Sequence, residues 1–190
     1  MAILEVLAHP SDKYGPRTWA NAGEAGLTVA FACDFSTAGE RLTHRAAGDR
    51  YVGIQLSRDS LNRDSALEAA RKLFKAVRAA QVSVLNVAGN GLYTLDRAGI
   101  NQEWANRFVG SVIAMVHRHY PLRKVISGGQ TGIDVAGAVA GVYLGIDTKV
   151  LLPRGFIQRG RDRKDATHSA EEIRSQIETG ARALEGALLI

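Results

Sequence analysis

Short apolar runs alternate along the chain with longer segments of helical or irregular character. Ile3 to Ala8 reads as a short strand, and Ser11 to Gly26, rich in glycine, asparagine and charge, reads as loop. Leu27 to Cys33 and Tyr51 to Leu56 are β-rich runs separated by the polar stretch Asp34 to Arg50. With Gly39 and Gly48 between them, they predict a long hairpin or a strand pair with an excursion. From Asp64 the period changes to that of a helix. Leu67, Ala70, Phe74, Val77 and Gln81 share one face, with Arg71, Lys72, Lys75 and Arg78 mostly opposite and Asp64 or Ser65 as cap.

Val82 to Ala88 is the next strand, ended by Gly89-Asn90-Gly91. Trp104, Phe108, Val112, Met115 and His119 mark a second amphipathic helix, which stops before Pro121. Lys124 to Ser127 is a short strand running into Gly128-Gly129-Gln130-Thr131-Gly132. The following Ile133 to Leu144 has the Ala/Gly content of a helix packed closely on a sheet. Lys149 to Leu152 is a strand, and Ser169 with Glu172 forms a capping box that opens a last helix through about Leu184. Alternating strands and helices predict an α/β fold: a Rossmann-like, open and mostly parallel sheet with helices on both faces. Residues 64–190 are its core, and residues 1–63 add an N-terminal strand pair as a sheet extension or edge. The whole chain, 1–190, is read as one domain.

Composition narrows the function classes. The chain has 190 residues, 46% hydrophobic and 23% charged, which is globular usage. A single cysteine, Cys33, excludes a disulfide framework and any multi-thiolate zinc site. Met1 to Leu7 is too short for a signal peptide, and no apolar run approaches the ~20 residues of a membrane span, so the chain is expected to be cytoplasmic, without a membrane partner. The net charge of +5 has one focus, Arg154, Arg159, Arg161, Arg163 and Lys164. Such a cluster reads equally as a phosphate- or nucleic-acid-binding patch and as a solvated loop. Only Phe156 interleaves with it, so single-stranded nucleic acid has no stacking platform.

The sharpest motif is Ser127-Gly128-Gly129-Gln130-Thr131-Gly132-Ile133-Asp134. A strand ending in glycines and entering a helix can aim backbone N–H groups and the positive helix end at a phosphate. A tight turn without a ligand is the alternative. The spacing fits neither the Gly-x-x-x-x-Gly-Lys-Ser/Thr loop nor the dinucleotide fingerprint Gly-x-Gly-x-x-Gly. Asn86 to Gly91 is a second strand end entering glycines, and in a parallel sheet both ends can face one crevice. There Asn86, Gly89, Asn90 and Gly91 would form its second wall, although Asn90-Gly91 equally makes a simple turn. Ser36 and Thr37 offer hydroxyls to a ligand or cap a helix.

The motif resembles the Ser-Gly-Gly-Gln-Thr-Gly-x-Asp signature of the molybdenum-carrier family. That family lies in the superfamily of lysine-decarboxylase-like phosphoribohydrolases, DNA-processing protein A domains and nucleotide-sensing defence domains. The resemblance covers about Lys124 to Gly155, where Pro153-Arg154-Gly155 is similar to the family's Pro-Lys-Gly turn. Asp34 to Glu40 and Asn86 to Gly91 look like stretches of phage and prophage proteins carrying the same signature. The resemblance implies that the glycine-rich turn is the ligand pocket, with a nucleotide or molybdopterin-type ligand. Arg154, leaving the next strand at the same sheet edge, is expected to hold a phosphate.

Catalytic chemistry is less legible. The phosphoribohydrolase motif places a glutamate where this chain has Val135, and Asp134, one residue early, is rotated about 100° on the helix. Asp134 then holds a ribose hydroxyl, braces the loop, or complements the helix end. The five histidines show no metal-ligand spacing, and Cys33 reads as a buried small hydrophobe. The first expectation is therefore a module that binds or senses a small phosphorylated, nucleotide-like ligand. The alternatives are a hydrolase of a nucleotide or nucleotide-derived signal, and a molybdenum-cofactor carrier. A nucleic-acid partner ranks below these, and a homo-oligomer stays open.

Overall fold

The computed structural model describes residues 2–190. Six strands form one parallel sheet: β1 (Leu4–Ala8), β2 (Leu27–Ala32), β3 (Tyr51–Gln55), β4 (Val84–Gly89), β5 (Lys124–Ser127) and β6 (Asp147–Leu152), in the order β1-β6-β5-β4-β2-β3. A two-stranded antiparallel ribbon, β7 (Gln158–Arg159) with β8 (Asp165–Ala166), stands apart from it. The fold is thus the Rossmann-like α/β sheet that the alternation of apolar runs implies.

Three sequence expectations for the first third need correction. Ser11 to Gly26 is not loop, because Tyr14–Glu24 forms helix α1. Pro16 sits in its first turn, where a missing N–H costs nothing, so it does not break the helix. The polar stretch after β2 holds helix α2 (Ala38–Ala47), which makes β2 and β3 a parallel pair, Thr28 opposite Tyr51, rather than a hairpin. Residues 1–63 also do not form one extension: β1 lies at one edge of the sheet and β3 at the other.

Helix α3 (Arg63–Ala80) buries Ala66, Ala69, Ala70, Leu73 and Val77. Leu67 and Phe74 fall on its flank, and Gln81 is a left-handed C-cap at φ 53° rather than a face residue. Asn62, not Asp64 or Ser65, caps it, accepting the Ser65 N–H at 2.9 Å. The short α4 (Leu92–Arg97) precedes α5 (Gln102–His119), where Trp104 stacks on Phe108 at 5.1 Å. Helix α6 (Ile133–Tyr143) is buried over most of its length, and a Cβ at Gly137 would lie 2.5 Å from the Val87 Cβ. Ser169 and Glu172 form both halves of the expected capping box on α7 (Ala170–Arg182).

Direction of travel decides where the helices lie. The chain moves from β1 through β2 to β3, then reverses through β4 and β5 to β6. Right-handed crossovers therefore put α1 and α2 on one face and α3, α5 and α6 on the other, where α7 joins α6. Along β4, Leu85 and Val87 enter the large core, while Asn86 and Ala88 point to the α1/α2 side. The two layers are unequal. The main cores contain Phe31, Leu73, Phe108, Ile133, Val139 and Ile177, whereas α1 and α2 meet over Ala22, Ala46 and Ala47 with Tyr51 beside them.

Candidate functional site

The reversal of direction falls between the adjacent strands β2 and β4. Open α/β sheets bind ligands at the carboxyl ends of strands at such a point. A cavity of about 880 Å³ opens there, within the size range of small-molecule sites. Cys33 and Asp34 line it after β2, Asn86 and Ala88 to Leu92 from β4 onward, Arg17 and Asn21 on α1, and Glu40 and Thr43 on α2.

The two glycine loops do come together. Gly91 and Gly132 form an isolated antiparallel bridge, with Leu92 N–H donating to the Thr131 carbonyl and Ile133 N–H to the Asn90 carbonyl. Gly132 stands at φ 96°, and a Cβ there would approach the Asn90 carbonyl oxygen to 2.5 Å. Gly132→Ala is therefore expected to separate the loops and lower the melting temperature by several degrees, measured by thermal unfolding. Asn90 braces the loop after β2. Its Oδ1 accepts from Cys33 N–H and Asp34 N–H, both at 2.9 Å, and its Nδ2 donates to the Asp34 carbonyl at 3.0 Å. Asn86 donates to the Thr28 hydroxyl at 3.2 Å.

Three N–H groups of the glycine-rich turn are already bonded within the protein, so only part of the expected set of amides stays free for an anion. Gly129 N–H donates to the Ser127 hydroxyl, Gly132 N–H to Gln102 Oε1 at 2.7 Å, and Gln130 N–H to the Asp134 carboxylate at 3.4 Å. Its side chains grip the loop that carries β7. Gln130 bonds the Ile157 carbonyl and the Arg159 N–H, and Thr131 donates to the Arg159 carbonyl at 2.6 Å. The Gly129 carbonyl accepts from Gln158. Gln130, Thr131 and Asp134 still face the cavity, so the motif serves as a braced wall.

Asp134 lies at the start of α6, 5% exposed, and pairs with Arg17 Nη1 at 3.1 Å. Burial raises its carboxyl, while Arg17 and the Gln130 N–H pull the other way. Arg17 occupies the space over Gly128, where a Cβ would fall 1.5 Å from Nη1. Glu40 is 2% exposed, and its burial, reinforced by the Asp134 and Asp34 carboxylates, pushes its carboxyl up to about 8. Four buried polar atoms here have no hydrogen-bond partner: Arg17 Nε, Asn21 Nδ2, Asn21 Oδ1 and Glu40 Oε2. Among the described residues, only Trp104 Nε1 elsewhere shares that condition.

Arg154 does not reach this cavity. Its backbone is fixed to Ser11, and its exposed guanidinium faces Asp12 at 3.7 Å. The basic loop turns back after it, which brings Arg159 and Arg163, rather than Arg154, to the mouth. Arg159 is held by Asp165 at 2.8 Å and Arg161 by Asp96. Arg163 and Arg97 lie 4.9 and 5.8 Å from the Tyr93 ring centroid, and among the described residues neither has a carboxylate partner.

Arg17, Asn21, Glu40, Tyr93 and Arg97 were not legible as site residues in the sequence. Thr37 turns out to be the N-cap of α2, accepting the Glu40 N–H at 3.2 Å, and the Ser36 hydroxyl bonds Asp34. Cys33 is half-buried beside Asn90, with burial raising its thiol. Among the described residues, no group of three or more His, Cys, Asp or Glu side chains could hold a metal ion. No helix there is long and apolar enough to cross a membrane. Comparison with protein-family models, with curated proteins and with solved structures found no match to this chain.

Proposed function

We propose that this protein binds a small phosphorylated, nucleotide-like ligand in the cavity between the β2 and β4 ends. One observation carries the reading: Arg97 and Arg163, both without a carboxylate partner among the described residues, stand against Tyr93 at the mouth of a cavity at the switch point. Guanidinium groups bind phosphate bidentately, and an aromatic ring beneath them fixes their planes. The wall of glycine loops supplies the shape, and the arginines supply the anion contact. This moves the phosphate away from the amides of Gly128 to Gly132 and away from Arg154.

The test is calorimetric titration with nucleoside monophosphates. Arg97→Ala together with Arg163→Ala is expected to weaken binding at least tenfold, about 1.4 kcal/mol. Arg154→Ala should bind as the native protein does. Undiminished affinity in the double variant would overturn the placement of the phosphate.

A further inference from the structure

We propose that Glu40 and Asn21 form a second subsite on the cavity floor, which takes the uncharged, hydrogen-bonding end of the ligand while its phosphate stays at the arginine mouth. This rests on the reading of the cavity as a nucleotide site and gives the ligand a direction within it. The shared chemistry is a neutral pair of donor and acceptor groups, as on a nucleobase edge or a ribose diol.

Unmet hydrogen bonds mark the floor. Asn21 is 2% exposed, and neither atom of its amide has a partner. Glu40 Oε2 is sealed from solvent in the same condition, and both residues line the cavity. A buried polar group left unpaired costs about 1–3 kcal/mol, and folded proteins pair nearly all of them. Glu40 also has a local partner it does not take. It occupies the third position after the N-cap Thr37, where a glutamate commonly returns to bond the cap's N–H. Glu172 does so on Ser169 at 2.7 Å, exposed to solvent. On α2 only the Thr37 half of that box forms, and the Glu40 carboxyl enters the cavity.

Charge fixes the direction. Among the described residues, the charged and titratable groups around Glu40 include Arg17 on α1, Cys33 and Asp34 after β2, Tyr51 on β3 and Asp134 on α6. Arg17 is paired with Asp134 through Nη1, so these groups carry no net positive charge to hold a phosphate, and the Asp34 carboxylate repels one. A neutral group meets no such repulsion. With its raised proton affinity, Glu40 is protonated at neutral pH and can donate one hydrogen bond while accepting another, and the Asn21 amide lining the same cavity can do the same.

The experiment titrates the native protein, Glu40→Leu, Asn21→Leu and Glu40→Gln with three probes: the four ribonucleoside monophosphates, ribose 5-phosphate and inorganic phosphate. Binding is read by calorimetry and phosphorus NMR at pH 6.5 and 9, with circular dichroism as the check of folding. Both leucine variants are expected to bind nucleotides at least tenfold more weakly and inorganic phosphate unchanged. Glu40→Gln, which keeps a donor and an acceptor, should bind equally at both pH values, while the native protein weakens at pH 9. Loss for nucleotides alone assigns the floor to the base, and equal loss for ribose 5-phosphate assigns it to the diol. The proposal is overturned if the leucine variants bind nucleotides as the native protein does, since the floor then holds only water. It is equally overturned if they lose phosphate in parallel, or if the native protein binds neither nucleotide nor sugar phosphate. Failure at the mouth is separate, because it shows in the Arg97/Arg163 variant and not in these.

Discussion

Glu40→Gln is expected to stabilise the protein by an amount that grows with pH. The carboxyl titrates at 4.5 as a free side chain and at about 8 in the fold, chiefly because it is buried. Between those values the native state keeps a proton that the unfolded chain has released, so native stability falls as pH rises through that window. A separation of this size corresponds to a penalty on the order of 5 kcal/mol above pH 8 and none below about pH 4.5. Glutamine carries no charge and escapes the penalty. Urea unfolding at pH 4.5 and pH 8.5 should show little difference between the two proteins at the lower value and several kcal/mol at the higher. A pH-independent difference would mean that Glu40 ionises freely in the fold.

Arg17→Met should have the opposite sign. It removes the guanidinium from Asp134 but keeps an apolar stem of similar length, leaving a carboxyl at 5% exposure without its cation. Breaking one side of a buried pair costs about 3–5 kcal/mol. The loss should shrink at low pH, where the stranded carboxyl of Asp134 takes up a proton. Adding Asp134→Asn to Arg17→Met should recover much of the stability, because no buried charge then remains. Chemical denaturation of the two single variants and the double one closes the cycle. Additive effects would show that the pair contributes little in its native setting.

The sheet and its helices could be read from the chain because hydrophobic period follows from the faces each element buries. β4, β5 and α6 carry that signal strongly, since both faces of the strands and most of the helix are buried. Helix α1 was hidden for the opposite reason. Its buried residues are Arg17, Asn21 and Ala22, so the face it turns inward is polar and leaves no apolar stripe. The same polarity hid the floor of the site. The spacing of Arg17 and Asn21, four apart, would put them on one helix face, but only once a helix is assumed. Glu40 was masked by its capping position, which has a local explanation for a glutamate there. The glycine motif located the sheet end where the cavity opens, yet three of its amides serve the protein's own structure. Arg154 was misplaced because strand order predicts where a loop leaves the sheet but not which way it then turns.

The inequality of the two layers also bears on how anything enters or leaves. Helices α1 and α2 supply the inner cavity wall and rest on three buried alanines and Tyr51 rather than on large side chains. Their grip on the sheet is weak compared with that of α6, which packs on β4, β5 and β6 in the extensive opposite core. Small apolar contacts give a low free energy of local opening. The wall proposed to recognise the ligand is thus expected to be the part of the molecule that comes away first. Occupancy of the floor would then act as the missing core of this layer, and the rate at which α1 and α2 part would set how long a guest stays.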